Sequence, residues 1–264
     1  MNKSMAMFEV VRRAERAGLV DCPVIIRGEP GSGKKYVAGL IHRQSCRSRG
    51  ELLIARAENG EAERLLQGGP FATWPQTSGL AAAAGGTVVI DEIAMLSLAG
   101  QARLLNVVEG RYGRVPRDAI HDMPDVRVIA TTRFDLAESV ELGWLREDVP
   151  YRLGVVTIHV PPLRERPEDI PELVEHLLAE LCAAENKPLL PLAPELMRYA
   201  AGNPWPGNVP ELRGWLATLL NVQNAPAPTW KHLPASQSES APERMKGCSN
   251  SNWQRWDALP PSRH

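Results

Sequence analysis

Apolar residues along this chain recur with two periods, and the alternation between those periods predicts a wound α/β domain followed by a group of helices. Phe8, Val11, Arg12, Glu15 and Leu19 have the spacing of an amphipathic helix, which runs into the short apolar strand Val24-Ile25-Ile26. A glycine-rich turn follows, and Val37, Leu40 and Ile41 then return to helical spacing within residues 36–42. Residues 52–55 predict a second strand, 61–67 a helix, and Gly68, Gly69, Pro70 and Pro75 a loop. The continuous β-branched run over 87–90 is what a strand buried on both faces requires. Residues 95–109 predict a helix and 126–130 a fourth strand. A fifth strand over 155–160 is stopped by Pro161-Pro162. Strands alternating with helices imply a parallel sheet sandwiched by helices. Helical spacing then continues over 170–183, 194–200 and, after the Trp205-Pro206-Gly207 turn, 209–220. The expected organisation is an α/β subdomain over 1–165, a small helical lid over 166–222 and a tail over 223–264. Near Asn224 the composition shifts to Pro, Ser, Ala and isolated tryptophans with no period, and this predicts disorder.

A length of 264 residues suffices for one large core and a small second one. A net charge of −1 carries no global footprint for nucleic acid or anionic membrane. The cysteines Cys22, Cys46, Cys182 and Cys248 form no metal-ligand spacing and suggest no disulfide framework, as expected of a reducing cytoplasm. Glu9, Arg12, Arg13, Glu15 and Arg16 interrupt every apolar run near the amino terminus. Neither a signal peptide nor a spanning helix is therefore expected.

Chemistry enters at the turn between the first strand and the second helix. Gly28, Glu29, Pro30, Gly31, Ser32, Gly33 and Lys34 fit GxxxxGK. Its glycines let successive backbone N–H groups converge on phosphate oxygens, and its lysine places a charge on the β and γ phosphates. Strand before and helix after is the context such a loop needs, and the helix N-terminus adds its dipole. Lys35 stands where a Ser or Thr normally reaches magnesium. The buried strand over 88–90 delivers Asp91 and Glu92 at its end. Asp91 is expected to hold magnesium, directly or through water, and Glu92 to polarise the attacking water. ATP and Mg²⁺ are the expected cofactors.

Four collinear strings carry a family resemblance: Gly28 to Lys34, GGTVVIDE at 85–92, PPLRERPEDI at 161–170 and WPGNV at 205–209. Over about residues 5–221 the chain resembles the AAA+ motor of bacterial enhancer-binding proteins, the activators of RNA polymerase carrying sigma-54. The resemblance implies an ATPase that assembles into a ring with itself or a full-length activator, and a site completed by arginines from the next subunit. LREDVPYRL at 145–153 is similar to the segment that supplies them. Arg146 and Arg152 are thus the expected trans-acting arginines, worth on the order of a thousandfold in rate in related phosphoryl transfer.

Several positions depart from the family pattern. The loop that grips the sigma factor is expected to be absent, because 68–77 reads GGPFATWPQT. The first sensor, an Asn in the family, is Arg133; the second, an Arg, is Pro210, with Arg213 nearly a turn later. Arg56 takes the place of an Asn that restrains the catalytic glutamate. The tail lacks paired amphipathic helices, so no sequence-specific DNA contact is expected. Two readings follow: an ATP-dependent sigma-54-type transcription regulator, or a non-hydrolysing nucleotide module that modulates a partner activator. A remodelling ATPase with another client has no positive support in the residues.

Overall fold

Five parallel strands form the centre of the molecule, each entering the sheet from the same end: β1 (Val24–Arg27), β2 (Leu52–Arg56), β3 (Thr87–Asp91), β4 (Arg127–Thr132) and β5 (Val156–His159). Their order across the sheet is β2-β3-β4-β1-β5. The structure is a computed structural model, and it describes residues 4–66, 79–111, 124–187 and 192–222.

Parallel strands need crossovers, and the helices that provide them cover both faces, so the central strands are apolar on both sides. Ile25, Val88, Ile90, Val128 and Ala130 point to one core, completed by Leu66, Leu104, Val108, Val149 and Leu153. Val24, Ile26, Val89 and Ile129 point to the other, with Met7, Val10, Ala14, Val37 and Ile41 above them. Each fully buried aliphatic side chain of this kind contributes about 1.5–3 kcal/mol.

The helices of this α/β part are α1 (Met5–Leu19), α2 (Lys34–Arg43), α3 (Glu61–Leu65), α4 (Gly79–Ala82), α5 (Leu98–Arg111), α6 (Leu136–Glu141) and α7 (Asp148–Leu153). Helix α1 buries Met7, Val10, Ala14 and Ala17, whereas Phe8 and Leu19 are exposed. The expected face is therefore rotated by about one residue. Two alanines lie on the true face, and Gly18 sits where a Cβ would meet Gln44 Cβ at 2.6 Å, so smallness rather than hydrophobicity selects it. The helix expected over 95–109 also differs. A 3₁₀ turn at Ile93–Met95 ends in an extended Leu96, and α5 starts afresh behind Ser97, whose hydroxyl accepts from Gly100 N at 3.0 Å.

The chain divides into two compact units. One comprises residues up to Asp169 together with Pro206–Val209; the other comprises Ile170–Trp205 and the chain from Pro210 on. The division between the units falls at 169/170, and WPGNV is shared out between them. The second unit contains α8 (Ile170–Ala184), α9 (Pro194–Gly202) and most of α10 (Asn208–Val222). Its centre is aromatic: Trp205, fully buried, meets Tyr199 and Trp215 at ring distances of 6.5 and 5.5 Å, and its indole N–H donates to Ala200 O at 2.7 Å. Among the described residues no helix is long and apolar enough to cross a membrane. The segment expected to replace the gripping loop, 68–77, and the tail expected to be disordered lie outside the described residues.

Candidate functional site

The glycine loop leaves the end of β1 and becomes the first turn of α2, the strand–loop–helix placement that the motif requires. Gly31 and Gly33 have φ of 73° and 106°, in the left-handed region that side chains avoid. A Cβ on Gly28 would lie 2.7 Å from Val160 O, so the chain passes there because the residue has none. Lys34 starts α2 and turns back beneath the loop. Its ammonium donates to Gly28 O at 2.8 Å and Glu29 O at 3.3 Å, and it pairs with Glu92 Oε1 at 2.9 Å. Both partners of that pair are buried.

Neighbouring strand ends supply the acidic side. Asp91 Oδ2 pairs with Lys35 Nζ at 2.8 Å, and its Oδ1 accepts from the Thr131 hydroxyl at 2.7 Å. The same hydroxyl accepts from Glu92 N at 3.1 Å, so one side chain of β4 fixes both acidic residues. Burial alone would raise the Asp91 pKa, but Lys35 and Thr131 outweigh it and hold the carboxyl below its ordinary value. Glu92 adopts a left-handed backbone, φ 62° and ψ 64°, which few non-glycine residues tolerate. Its second oxygen accepts from Arg133 N at 3.0 Å, which orients the carboxylate. A backbone outlier held by three fixed partners is the arrangement expected where function over-determines geometry.

The PPLRERP and WPGNV strings also acquire a physical role. Arg164 grips Glu29 with two hydrogen bonds of 2.6 and 2.8 Å and lowers that carboxyl's pKa. Arg166, buried and with its pKa pushed down by desolvation, donates to Ser32 O at 2.5 Å. Asn208, fully buried at φ 54°, accepts from Leu163 N at 2.7 Å and donates to Pro30 O at 3.0 Å and Glu29 Oε2 at 3.2 Å. Three side chains from outside the loop therefore hold it still, through the Glu29 carboxylate and the Pro30 and Ser32 carbonyls. Thr131 and Asn208 were not among the expected site residues. Asn208 carried a signal in WPGNV; Thr131, one β-branched residue among several, carried none.

Some expected residues lie elsewhere. Arg146 pairs with Asp148 in its own chain at 2.9 and 3.0 Å, and Arg152 pairs with Glu109. Neither touches Lys34, Asp91 or Glu92. Arg133, at the first-sensor position, pairs with Glu58 at 2.9 Å and lies 4.8 Å over the Phe134 ring. Its backbone, not its guanidinium, meets the acidic pair. Pro210 falls in the first turn of α10, where its missing N–H has no cost. Arg213 pairs with Glu180.

The residues present fit a polyphosphate: a glycine cradle that a Cβ would fill, a helix N-terminus and two ammonium groups. They fit a divalent ion less well. Lys35 replaces the usual hydroxyl and occupies Asp91, and Ser32 Oγ is buried without a hydrogen-bond partner among the described residues.

Comparison with known proteins agrees with this construction. Residues 1–159 match the family model described as the sigma-54 interaction domain, and residues 164–249 match the AAA+ ATPase lid domain. The DNA-binding transcriptional regulator NtrC of Rhizobium meliloti (strain 1021) is 35% identical, over 99% of this chain and 59% of NtrC. A Nif-specific regulatory protein of Herbaspirillum seropedicae is 32% identical, over 89% of this chain and 45% of its own. The crystal structure of NtrX from Brucella abortus in complex with ATP is similar at a TM-score of 0.75 and 28% identity, covering 97% of this chain and 60% of that one. The chain spans about half the length of the curated relatives it matches. With a glycine loop, an acidic strand end and a helical second unit matching on all these counts, the chain belongs to the sigma-54 interaction domain family of AAA+ proteins.

Proposed function

We propose that this chain is the ATP-binding motor segment of a sigma-54-type transcription regulator, acting through nucleotide-dependent assembly. The observation that carries the proposal is the paired arrangement beneath the glycine cradle, Lys34 with Glu92 and Lys35 with Asp91, on adjoining ends of helix and strand. Gly28, Glu29, Pro30, Gly31, Ser32, Gly33, Lys34 and Lys35 form the nucleotide side of this reading. Glu92 is its water-polarising base, and Asp91 is the carboxylate at the position expected to hold magnesium, engaged here by Lys35. ATP in the NtrX relative supports the choice of ligand. Arg146 and Arg152, each partly exposed and paired with a carboxylate in the described residues, are assigned to a neighbouring subunit's nucleotide, in a ring of this chain or with a full-length activator. RNA polymerase carrying sigma-54 is the assigned client, and the cytoplasm the assigned location.

Calorimetric titration with ATP tests the site: micromolar binding in the native chain, lost in Lys34→Ala, is expected, and absence of heat in both sinks the proposal. A second reading, a nucleotide-holding module without turnover that modulates a partner activator, is favoured by Glu92 being tied to both Lys34 and Arg133 N. Turnover by the native chain that disappears in Glu92→Gln supports the first reading; no turnover in either supports the second. Co-purification of RNA polymerase or a full-length activator tests the client.

A further inference from the structure

Loops of this type place a hydroxyl next to the phosphate-binding lysine so that a divalent ion can bridge it to the nucleotide. Here that position holds Lys35, whose ammonium lies 2.8 Å from Asp91 Oδ2. The other Asp91 oxygen accepts from Thr131. The carboxylate that would carry a metal is thus satisfied on both oxygens by the protein's own donors.

Among the described residues the Thr131 hydroxyl is already engaged by Asp91 and Glu92 N, so it does not restore the missing ligand. Ser32, the hydroxyl of the glycine loop, is fully buried, and the space between its Oγ and Gly28 is so small that a Cβ on Gly28 would approach to 2.8 Å. A divalent ion at Asp91 would also meet the Lys35 ammonium at contact distance, a repulsion that a threonine there does not impose. Lys35 itself is well placed for the alternative role. It is the second residue of α2, so its backbone lies at the helix end toward which phosphate is drawn. Its side chain is 41% exposed, which leaves the ammonium free to swing between Asp91 and a ligand oxygen.

Resting on the reading of this site as an ATP site, we propose that Lys35 stands in for the divalent ion: the chain takes the phosphates of metal-free ATP between two ammonium groups, Lys34 and Lys35. Nucleotide binding is then nearly independent of magnesium. The same substitution supplies the charge needed to hold ATP without the Lewis acid needed to turn it over quickly.

The test is ATP affinity, measured by calorimetry on the native chain, Lys35→Thr and Lys35→Ala, each with magnesium and with excess EDTA. Lys35 is half-exposed, so both variants are expected to fold, and circular dichroism checks this. The native affinity is expected to change by less than about threefold on chelation, whereas Lys35→Thr loses on the order of tenfold or more and recovers with magnesium. Lys35→Ala, with neither ammonium nor hydroxyl, is expected to bind more weakly than native in EDTA. Paramagnetic broadening by Mn²⁺ gives a second readout: the ATP complex of Lys35→Thr binds the ion at the protein, and the native complex does not. A native chain that loses tenfold on chelation, as Lys35→Thr does, overturns this inference and leaves the ATP site in place. Absence of ATP binding by the native chain, even with magnesium, overturns the ATP site and this inference together.

Discussion

Two clusters in this molecule pair cations with carboxylates, lysines in one and arginines in the other, and differ in what surrounds them. Under the glycine loop, Lys34 and Glu92 are buried, and every partner is fixed by a strand end or a backbone group: Thr131 on Asp91 and on Glu92 N, Arg133 N on Glu92. Around α7, Arg146 and Arg152 face solvent at 41% and 38% exposure and pair with carboxylates two residues away or on α5. A buried pair must be right before the ligand arrives, because leaving either charge unmatched costs several kcal/mol. An exposed pair is worth at most about 1 kcal/mol and exchanges partners readily. Under the proposed function, the first cluster is a finished half-site and the second a set of groups that a neighbour's phosphate would recruit.

The largest expected effect separates the two clusters directly. Arg152→Ala is expected to lower assembled ATP turnover on the order of a thousandfold, leaving ATP affinity of the dilute chain unchanged. Steady-state hydrolysis and calorimetry measure the two quantities, and a matching fall in affinity would place Arg152 in its own chain's site and break the comparison. The next effect lies in the buried cluster. Lys34→Ala strands the Glu92 carboxylate, so unfolding in urea is expected to show a loss of about 3 kcal/mol in addition to lost ATP binding. Lys34→Met combined with Glu92→Gln is expected to regain most of that stability and none of the binding. If the single and double variants are equally stable, the buried pair is not what distinguishes this cluster.

Asn208 sharpens the comparison from outside, since it holds the loop through Pro30 O and Glu29 rather than through Lys34, Lys35, Asp91 or Glu92. Asn208→Gly keeps the left-handed backbone and deletes the amide, which leaves Leu163 N unmatched. A loss of about 2 kcal/mol is expected, with weaker ATP binding because Pro30 and Glu29 are no longer held. Unchanged affinity at reduced stability would reduce Asn208 to a fold residue.

Much of this was legible in the residues themselves. The five strands and their parallel winding followed from short apolar runs, and the loop and the acidic pair from spacing. What escaped was set by neighbours rather than by local pattern. The buried face of α1 depends on alanines whose value is their small size against α2. Arg127, fully buried in a strand, reads as a polar interruption until its guanidinium is seen donating to Ala17 O at 2.7 Å and Cys22 O at 3.2 Å. Arg133 is legible in the sequence only as a sensor position; Glu58 and Phe134, which engage its guanidinium, lie far off in sequence or beside it without a motif. Thr131 matters only because β4 lies next to β3, and no spacing announces that pairing.

The smallest effect concerns one carboxylate from each cluster. The pKa values of Asp91 and Asp148 are both held below the ordinary 3.8: Asp91 by Lys35 and Thr131 against the opposing cost of burial, Asp148 by the Arg146 hydrogen bonds. A lowered folded value means that each pair's stabilisation is complete above 3.8 and fades as pH falls through the folded pKa, so both steepen the loss of stability in acid. Salt tells them apart. At about 1 M the screening length is near 3 Å, which weakens attraction across solvent far more than a contact closed by protein. Carboxyl-carbon NMR titration of the nucleotide-free chain is expected to show Asp148, 32% exposed, moving back toward its ordinary value in high salt, while Asp91, 14% exposed, moves less. Equal movement would mean that the phosphate-side cluster is as open to water as the arginine-side one, and the distinction between a finished half-site and a recruitable one would then rest on hydrogen-bond geometry alone.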